Sequence, residues 1–242
     1  MKRLCAILIL VGLVLLVVLY RPYIWAAISP FVQKFKSPKT VAQRLDQYGE
    51  SARGRLEPHF KRQQISYPPA RVVMVGFKEE RLLELYAGGP KQNLKFIRSY
   101  PILRSSGESG PKLREGDRQV PEGIYSIESL NPNSRFHLSL RIGYPNASDR
   151  DQAARDGRTN LGGDIMIHGS SVSVGCLAMG DQAAEDLFVL AADTGIANIQ
   201  VILSPCDPRA GKPFPDVTGK LPWTESLYAT IRSNLTALPE VR

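Results

Sequence analysis

The stretch at residues 164–181 reads DIMIHGSSVSVGCLAMGD, and it brings a histidine and a cysteine close together in the chain. An apolar run at residues 165–167 leads into His168-Gly169, and Cys176 follows eight residues after the histidine. A nucleophilic cysteine needs a base that accepts its proton and a mobile backbone that lets the sulfur face a substrate. Small and hydroxyl-bearing residues fill the interval and supply that mobility. The stretch therefore predicts a thiol nucleophile, Cys176, served by an imidazole base, His168.

Glycines and backbone amides extend this prediction. Gly169 and Gly175 allow a substrate to approach the backbone closely. The N–H groups near Gly175 and Cys176 are candidate donors to an oxyanion. Asp181 is predicted to cap a helix that follows, and the dipole of that helix would favour a thiolate lying near its N-terminus.

Three other interpretations of these residues remain open. An isolated cysteine is commonly a small apolar core residue, and an isolated histidine is commonly structural. Cys176 and Cys206 could pair in an oxidising compartment, although a bridged sulfur could not act as a nucleophile. A metal site is the third, but one histidine, one cysteine and scattered aspartates lack a dense ligand pattern. We expect neither a metal nor another cofactor.

The composition is that of a globular protein of 242 residues, with 43% hydrophobic and 22% charged residues. The net charge of +8 is uneven. Residues 34–118 hold 18 Lys and Arg against 9 Asp and Glu, whereas residues 119–242 hold 10 against 14. The basic half suits a solvated surface near a membrane, or contact with an anionic polymer such as the cell wall. No nucleic-acid-binding motif accompanies the charge, so no nucleic-acid partner is expected.

The first 36 residues predict a membrane segment. Lys2-Arg3 precede 17 uncharged residues at 4–20, close to the lower limit of the ~17–25 residues that span a bilayer as a helix. Ala26-Ala27 is a poor cleavage site because Arg21-Pro22 and Trp25 stand in front of it. We therefore favour a single uncleaved anchor in a bacterial inner membrane, with the rest of the chain in the periplasm. Cleavage of the segment would instead give a secreted protein.

Hydrophobic periodicity predicts a helix and then a series of strands. Residues 39–64 carry apolar side chains at helical spacing and predict a stalk or packing helix, which Ser-Tyr-Pro-Pro at 66–69 closes. Short apolar segments bounded by Gly, Pro and Asn predict strands at 71–77, 81–86, 96–103, 123–127, 136–142 and 198–203. Residues 149–156 fit a short helix or a loop, and helices are predicted over 181–195 and 222–235.

This pattern defines the expected fold class and domains. The fold class is mostly β, sandwich-like or barrel-like, with a few peripheral helices and an N-terminal transmembrane helix. The expected domains are a membrane anchor or signal segment (1–36), a helical stalk or linker (37–69), a catalytic domain (70–204) and a Pro-rich extension with a C-terminal helix (205–242).

Several motifs together resemble the YkuD-type L,D-transpeptidase family. His168-Gly169, followed by Ser173-Val174-Gly175-Cys176, is similar to the family signature, in which HG is followed by S/T-H-G-C. The stretch PEGIY at 121–125 is similar to the TPxGxY strand of the family. Four further stretches resemble the YafK-like branch of the family: GPKLREGD at 110–117, NP at 131–132, FHLSL at 136–140 and GCLAMGD at 175–181. The resemblance covers residues 70–204.

The resemblance implies a mostly β catalytic domain that acts on the peptide stems of peptidoglycan. Cys176 would form a thioester with the carbonyl of an L-centre that precedes a D-centre, and His168 would be the general base and acid. Ser173 and Gly175 would line the nucleophile loop. The acyl group would then pass to an amine, which is transpeptidation, or to water, which is hydrolysis.

Two residues depart from the family signature. Val174 stands where the signature has a second histidine, and Ala178 stands where many members have an arginine. The assigned base is retained, but the substrate contacts of those two cations are lost, so the acyl acceptor stays open. The YafK-like branch includes a hydrolase that releases wall-attached protein, which adds such a protein as a candidate partner. A non-catalytic wall-binding module is the remaining alternative.

Further residues are candidates for substrate binding. We expect Gly169, His137 and Tyr144 to line the cleft. For His137, in an alternating strand, a structural or substrate-lining role is favoured over catalysis, and Tyr144 is treated in the same way. Arg114, together with Lys112, is a candidate ligand for a stem carboxylate, with an exposed surface charge as its alternative.

Overall fold

The computed structural model describes residues 37–90, 92–216 and 221–239. The predicted anchor at residues 1–36 lies outside this part of the chain. Among the described residues, none of the helices combines the length and the apolar character that crossing a bilayer requires. The helices are α1 (Val41–Arg62), α2 (Ala147–Arg155), α3 (Asp181–Thr194) and α4 (Thr224–Thr236). The strands are β1 (Arg71–Phe77), β2 (Leu82–Gly88), β3 (Lys95–Pro101), β4 (Gly123–Ser134), β5 (His137–Ile142), β6 (Met166–His168), β7 (Leu177–Ala178) and β8 (Ile199–Ser204).

The strands form one mixed sheet of eight strands in the order β3-β2-β1-β8-β4-β5-β6-β7. The pairs β1–β8 and β6–β7 are parallel, and the other neighbours are antiparallel. Strand β4 joins the two halves, because residues 123–126 pair with β8 and residues 127–134 pair with β5. The predicted mostly β class is confirmed in this coarser form, as a mixed sheet with a few helices.

Strand β1 lies inside the sheet and is buried on both faces. Val72 and Met74 face a large core that also contains α1 and α3, whereas Val73, Val75 and Phe77 face a smaller core under α4. A strand covered on both faces is expected to read as an almost continuous apolar run. This explains why the segment RVVMVGF shows no alternation between polar and apolar residues.

Helix α1 packs on the sheet as part of the main body. A capping box of Thr40 and Gln43 starts the helix, and its buried face carries Leu56 and Phe60. Arg53 binds Asp193 of α3 in a bidentate ion pair, with two N–O distances of 2.8 Å. The described residues from Lys39 onward belong to one compact unit, in which α1 is a packing helix.

Helix α4 covers the opposite face of the sheet. Tyr228, Ile231 and Leu235 pack on β1 and β8, so α4 contributes to the second core. Cys206 is a free, buried thiol in this segment, and the predicted alternative of a disulfide with Cys176 is wrong, because Cys176 is free as well.

A buried ion pair fastens the irregular segment at residues 102–122 to the sheet. Lys78 Nζ lies 2.8 Å from Glu122 Oε1, and it also donates to the carbonyl oxygens of Gly110 and Val120. Glu122 accepts further hydrogen bonds from the Gly110 N–H and the Tyr228 hydroxyl. Through Glu122, the ion pair connects this segment to both β1 and α4.

Candidate active site

The register of the sheet brings His168 and Cys176 to one face. Strands β6 and β7 are parallel, with Ile167 opposite Leu177 and His168 opposite Ala178. Cys176 directly precedes β7, and the Met166 N–H donates to its sulfur over 3.4 Å. Because side chains alternate along a strand, Cys176 and His168 belong to the face opposite the buried Ile167 and Leu177. The two residues that the sequence predicts as nucleophile and base thus lie on one face of adjacent strands.

The His168 imidazole is held in one tautomer. The residue is buried, and its Nδ1 lies 2.6 Å from the carbonyl oxygen of Gly169. A carbonyl only accepts hydrogen bonds, so Nδ1 carries the proton and the neutral ring keeps Nε2 as an acceptor. The Phe136 ring lies against the imidazole, with 4.8 Å between the centroids. Burial lowers the pKa of His168, and the bond to Gly169 partly offsets this.

The Cys176 thiol is half-buried and lies between two backbone groups. Its sulfur accepts from the Met166 N–H and donates to the Asp164 carbonyl oxygen over 3.6 Å. Burial raises the pKa of the thiol, and the nearby Asp164 carboxylate acts in the same direction. Burial therefore favours the uncharged form of both the thiol and the imidazole. The proton must move when the nucleophile attacks.

Two serine hydroxyl groups accept hydrogen bonds from N–H groups of the nucleophile loop, which is the segment 169–176 between β6 and β7. The Ser173 hydroxyl accepts from the Cys176 N–H over 3.1 Å and donates to the Cys176 carbonyl oxygen over 2.6 Å. The Gly175 N–H donates to Ser106 Oγ over 2.6 Å, and Ser106 in turn donates to the Arg118 carbonyl oxygen over 2.7 Å. Both candidate oxyanion donors are thus engaged by hydroxyl groups in the resting structure.

The other candidate residues lie in different settings. His137 Nε2 is 2.9 Å from Glu185 on α3, and the His137 ring contacts Tyr48 edge-on. Tyr144 is buried, and its hydroxyl donates to the carbonyl oxygens of Lys112 and Leu161. In this structure, the polar atoms of both side chains are therefore engaged by other residues of the protein.

The charged candidates differ from each other in exposure. Arg114 is exposed, whereas Lys112 is buried and bound to Asp117 over 2.6 Å. Gly169 lies under Asp181 and His137, so that a Cβ added there would come within 2.9 Å of both side chains. Asp181 also accepts from the Ser170 N–H over 2.7 Å. The helix cap is Gly180, which corrects the predicted cap at Asp181.

Sequence reasoning missed several residues around the site. Ser106 carried no signal, because it contacts the nucleophile loop from a distant irregular segment. Ser139 lies directly opposite His168 in β5 and is 1% exposed, and its hydroxyl makes no hydrogen bond to any described residue. Arg141 lies opposite Met166 and binds the Asp164 carboxylate over 3.1 Å. The alternation of residues 137–142 could have placed Ser139 and Arg141 on this face.

The rim of the site is apolar. Within the described part of the chain, the large hydrophobic side chains that are exposed are Leu103, Phe136, Val172 and Val174, and each is at least 41% exposed. Val172 and Val174 belong to the nucleophile loop, and Phe136 lies on His168. The described part of the chain contains no group of three or more His, Cys, Asp or Glu side chains that could hold a metal ion.

Comparison with known proteins defines the class to which this fold and site belong. Residues 70–201 match the YkuD family, the L,D-transpeptidase catalytic domain. This match covers more than half of the chain, and the chain therefore belongs to that family.

Within the family, the chain is of the YafK-like type. It is 38% identical over 149 residues to YafK of Escherichia coli (strain K12), which is provisionally named an L,D-transpeptidase. The YafK protein of Escherichia coli O157:H7 gives the same values. The matched residues cover 60% of this chain and 57% of the relative. The chain therefore matches less than two thirds of the length of these relatives.

Solved structures provide two further similarities. The helical cell shape determining protein Pgp2 from Campylobacter jejuni has a TM-score of 0.47 and 21% identity, covering 57% of this chain and 48% of Pgp2. Bd1075 from Bdellovibrio bacteriovorus has a TM-score of 0.41 and 20% identity, covering 69% of this chain and 58% of Bd1075.

Proposed function

We propose that this chain is a cysteine acyltransferase of the bacterial cell envelope that acts on the peptide stems of peptidoglycan. Cys176 is the nucleophile and His168 is the general base and acid. The proposal is supported by a half-buried thiol and a buried imidazole on the same face of the adjacent strands β6 and β7, with the imidazole Nδ1 fixed by Gly169, in a chain of the YkuD family.

The proposed reaction has two halves. In the first, His168 Nε2 accepts the thiol proton while Cys176 Sγ attacks the carbonyl of an L-centre, so that a C–S bond forms and the peptide C–N bond breaks. The imidazolium gives its proton to the leaving amine. In the second half, an amine or water attacks the thioester and His168 takes its proton. The C–S bond then breaks, and the proton returns to the thiol.

The Gly175 N–H is the proposed donor to the oxyanion that forms on the attacked carbonyl. Because Ser106 Oγ accepts from this N–H in the resting structure, the carbonyl oxygen of the acyl donor replaces the serine hydroxyl on binding. Ser173 is the proposed positioning residue, because its hydroxyl binds both the N–H and the carbonyl of Cys176.

The second candidate function is hydrolysis by the same thioester, which would shorten stems or release a protein attached to them. The observation that favours it is Ala178, which leaves this position without the cation that many relatives carry there. We further propose that residues 1–36 anchor the chain in the inner membrane and that the catalytic body lies in the periplasm.

Mass spectrometry of the full chain incubated with a defined muropeptide tests the proposal. We expect an adduct on Cys176 in the wild type and in Cys206→Ala, and no adduct in Cys176→Ala. Cross-linked product would assign a transferase, and shortened stems alone would assign a hydrolase. If the muropeptide gave neither an adduct nor a product, this result would contradict the proposal and favour a wall-binding role.

The pH dependence of kcat/KM is expected to follow the burial of His168. Its pKa lies below the ordinary value of 6.5, so the neutral base persists at lower pH than it would in a solvated histidine. Activity should therefore fall on the acid side with an apparent pKa below 6.5. An acid limb above that value, measured by stem turnover between about pH 4 and pH 8, would count against His168 as the base.

A further inference from the structure

A cavity of about 240 Å³ opens between α4, α2 and the start of β4. None of the residues that contact Cys176 or His168 lines it, so it is separate from the thiol site. A water molecule occupies about 30 Å³ of liquid, so this space equals roughly eight waters. It is therefore large enough for one small ring rather than for a peptide.

One wall of the cavity is apolar and fixed. The Trp223 indole lines it, together with Ile124 and Leu227. The indole Nε1–H donates to Asp156 over 3.0 Å, and the Arg158 guanidinium lies 5.7 Å from the ring centroid. A flat apolar side chain that such contacts already hold in place loses little conformational entropy when a ligand packs on it.

Another part of the lining carries hydrogen-bonding groups with spare capacity. Neither Ser148 Oγ nor the Gln152 amide makes a hydrogen bond to any residue in the described ranges, although both residues line the cavity. A hydroxyl supplies one donor and two acceptor sites, and a primary amide supplies two donors and an acceptor. These groups suit a ligand whose edge carries several hydroxyl or amide groups.

Both carboxylates of the lining already accept hydrogen bonds, Glu122 from a lysine and Asp149 from neutral donors. Glu122 is bound by Lys78, and Asp149 accepts from the Asn146 N–H over 2.9 Å and from the Tyr125 hydroxyl over 3.4 Å. The described lining contains no cation that could bind an anionic ligand, and the oxygens of Asp149 are engaged by the Asn146 N–H and the Tyr125 hydroxyl. The site is therefore suited to an uncharged ligand with an apolar face and a polar edge.

We propose that this cavity binds a neutral sugar ring that stacks on Trp223 and bonds to Ser148 and Gln152. Since this rests on the proposed function, the sugar is assigned to the glycan strand that carries the peptide stem. Recognition of the glycan would then supplement recognition of the stem at Cys176.

Tryptophan fluorescence gives a direct test, because Trp25 and Trp223 are the two tryptophans of the chain. In the full chain carrying Trp25→Phe, emission reports on Trp223. We expect a saturable change in emission with N-acetylglucosamine tetramer and no change with the free stem peptide. Absence of a saturable change with the tetramer, or an equal change with the peptide, would overturn the proposal.

A pair of variants localises the binding. Gln152→Leu keeps the side-chain volume and removes the amide, and we expect it to weaken tetramer binding about tenfold. Gln182→Leu, on an exposed position of α3, is the matched control and should leave affinity unchanged. Equal affinity in Gln152→Leu and the wild type would contradict the assigned contact.

The two proposals fail separately. A Cys176 adduct with free stem peptide, together with no sugar binding, would overturn the cavity proposal alone. Saturable sugar binding without any Cys176 adduct from a muropeptide would overturn the acyltransferase instead and would leave a glycan-binding protein.

Discussion

Replacing His168 with glutamine is expected to slow acylation of Cys176 by about a thousandfold, within the range that general-base catalysis contributes. Glutamine can keep a hydrogen bond to the Gly169 carbonyl oxygen, but it cannot accept the thiol proton. Because burial raises the pKa of Cys176, little thiolate exists at neutral pH to react without a base. The variant should therefore retain its fold while the attack itself becomes slow.

The pH dependence separates loss of the base from loss of structure. Between about pH 6 and pH 8, the acylation rate of His168→Gln should rise with pH as the thiolate forms, whereas the wild-type rate should be nearly flat. His137→Gln is the matched control, because His137 contacts Glu185 and Tyr48. The acylation rate of this variant should stay close to that of the wild type. Fast acylation by His168→Gln, measured by mass spectrometry at single turnover, would remove His168 from the mechanism.

Replacing Lys78 with methionine is expected to lower the free energy of unfolding by about 3–5 kcal/mol, as removal of one partner of a buried ion pair does. The change leaves the fully buried Glu122 carboxylate with the Gly110 N–H and the Tyr228 hydroxyl, and it frees two carbonyl oxygens. For a body of this size, the melting midpoint should fall on the order of 10 °C. Calorimetry of the two proteins measures the difference.

Two further variants test the cause of that loss. Lys212→Met removes an exposed lysine that binds Glu79 and Glu80, and it should leave the midpoint unchanged. The double variant Lys78→Met with Glu122→Met should be more stable than Lys78→Met, because no buried charge is left unpaired. A double variant as unstable as the sum of its two single variants would show that the ion pair is not the cause.

The local elements of the fold were predictable from the sequence, whereas their arrangement was not. The segment RVVMVGF predicts strand β1, and the apolar pattern after Asp181 predicts α3, because both signals are contained in a few neighbouring residues. The insertion of β8 between β1 and β4 depends on pairings between distant segments. The same limit applies to β4, which continues through Asn131-Pro132 to Ser134 because β5 pairs with it.

The candidate site divides in the same way. Cys176 and His168 lie within one short stretch, and their types and spacing predicted a common site. Ser106 reaches Gly175 from an irregular segment, which no periodicity or spacing indicates. The contact of His137 with Glu185 on α3 could not be predicted either, because it depends on how the helix packs.

Helices α1 and α4 lie outside the residues that match the family, yet both pack on the sheet. The family match spans residues 70–201, but the compact body begins at residue 39 and includes both flanking helices. Excision of the matched region would strip Leu56 and Phe60 from one face and Ile231 from the other. The bare sheet would then expose its apolar faces to water and self-associate. In this chain, the family signature lies in the middle of a longer compact unit, and we expect only that longer unit to keep both of its cores when it is moved into another protein.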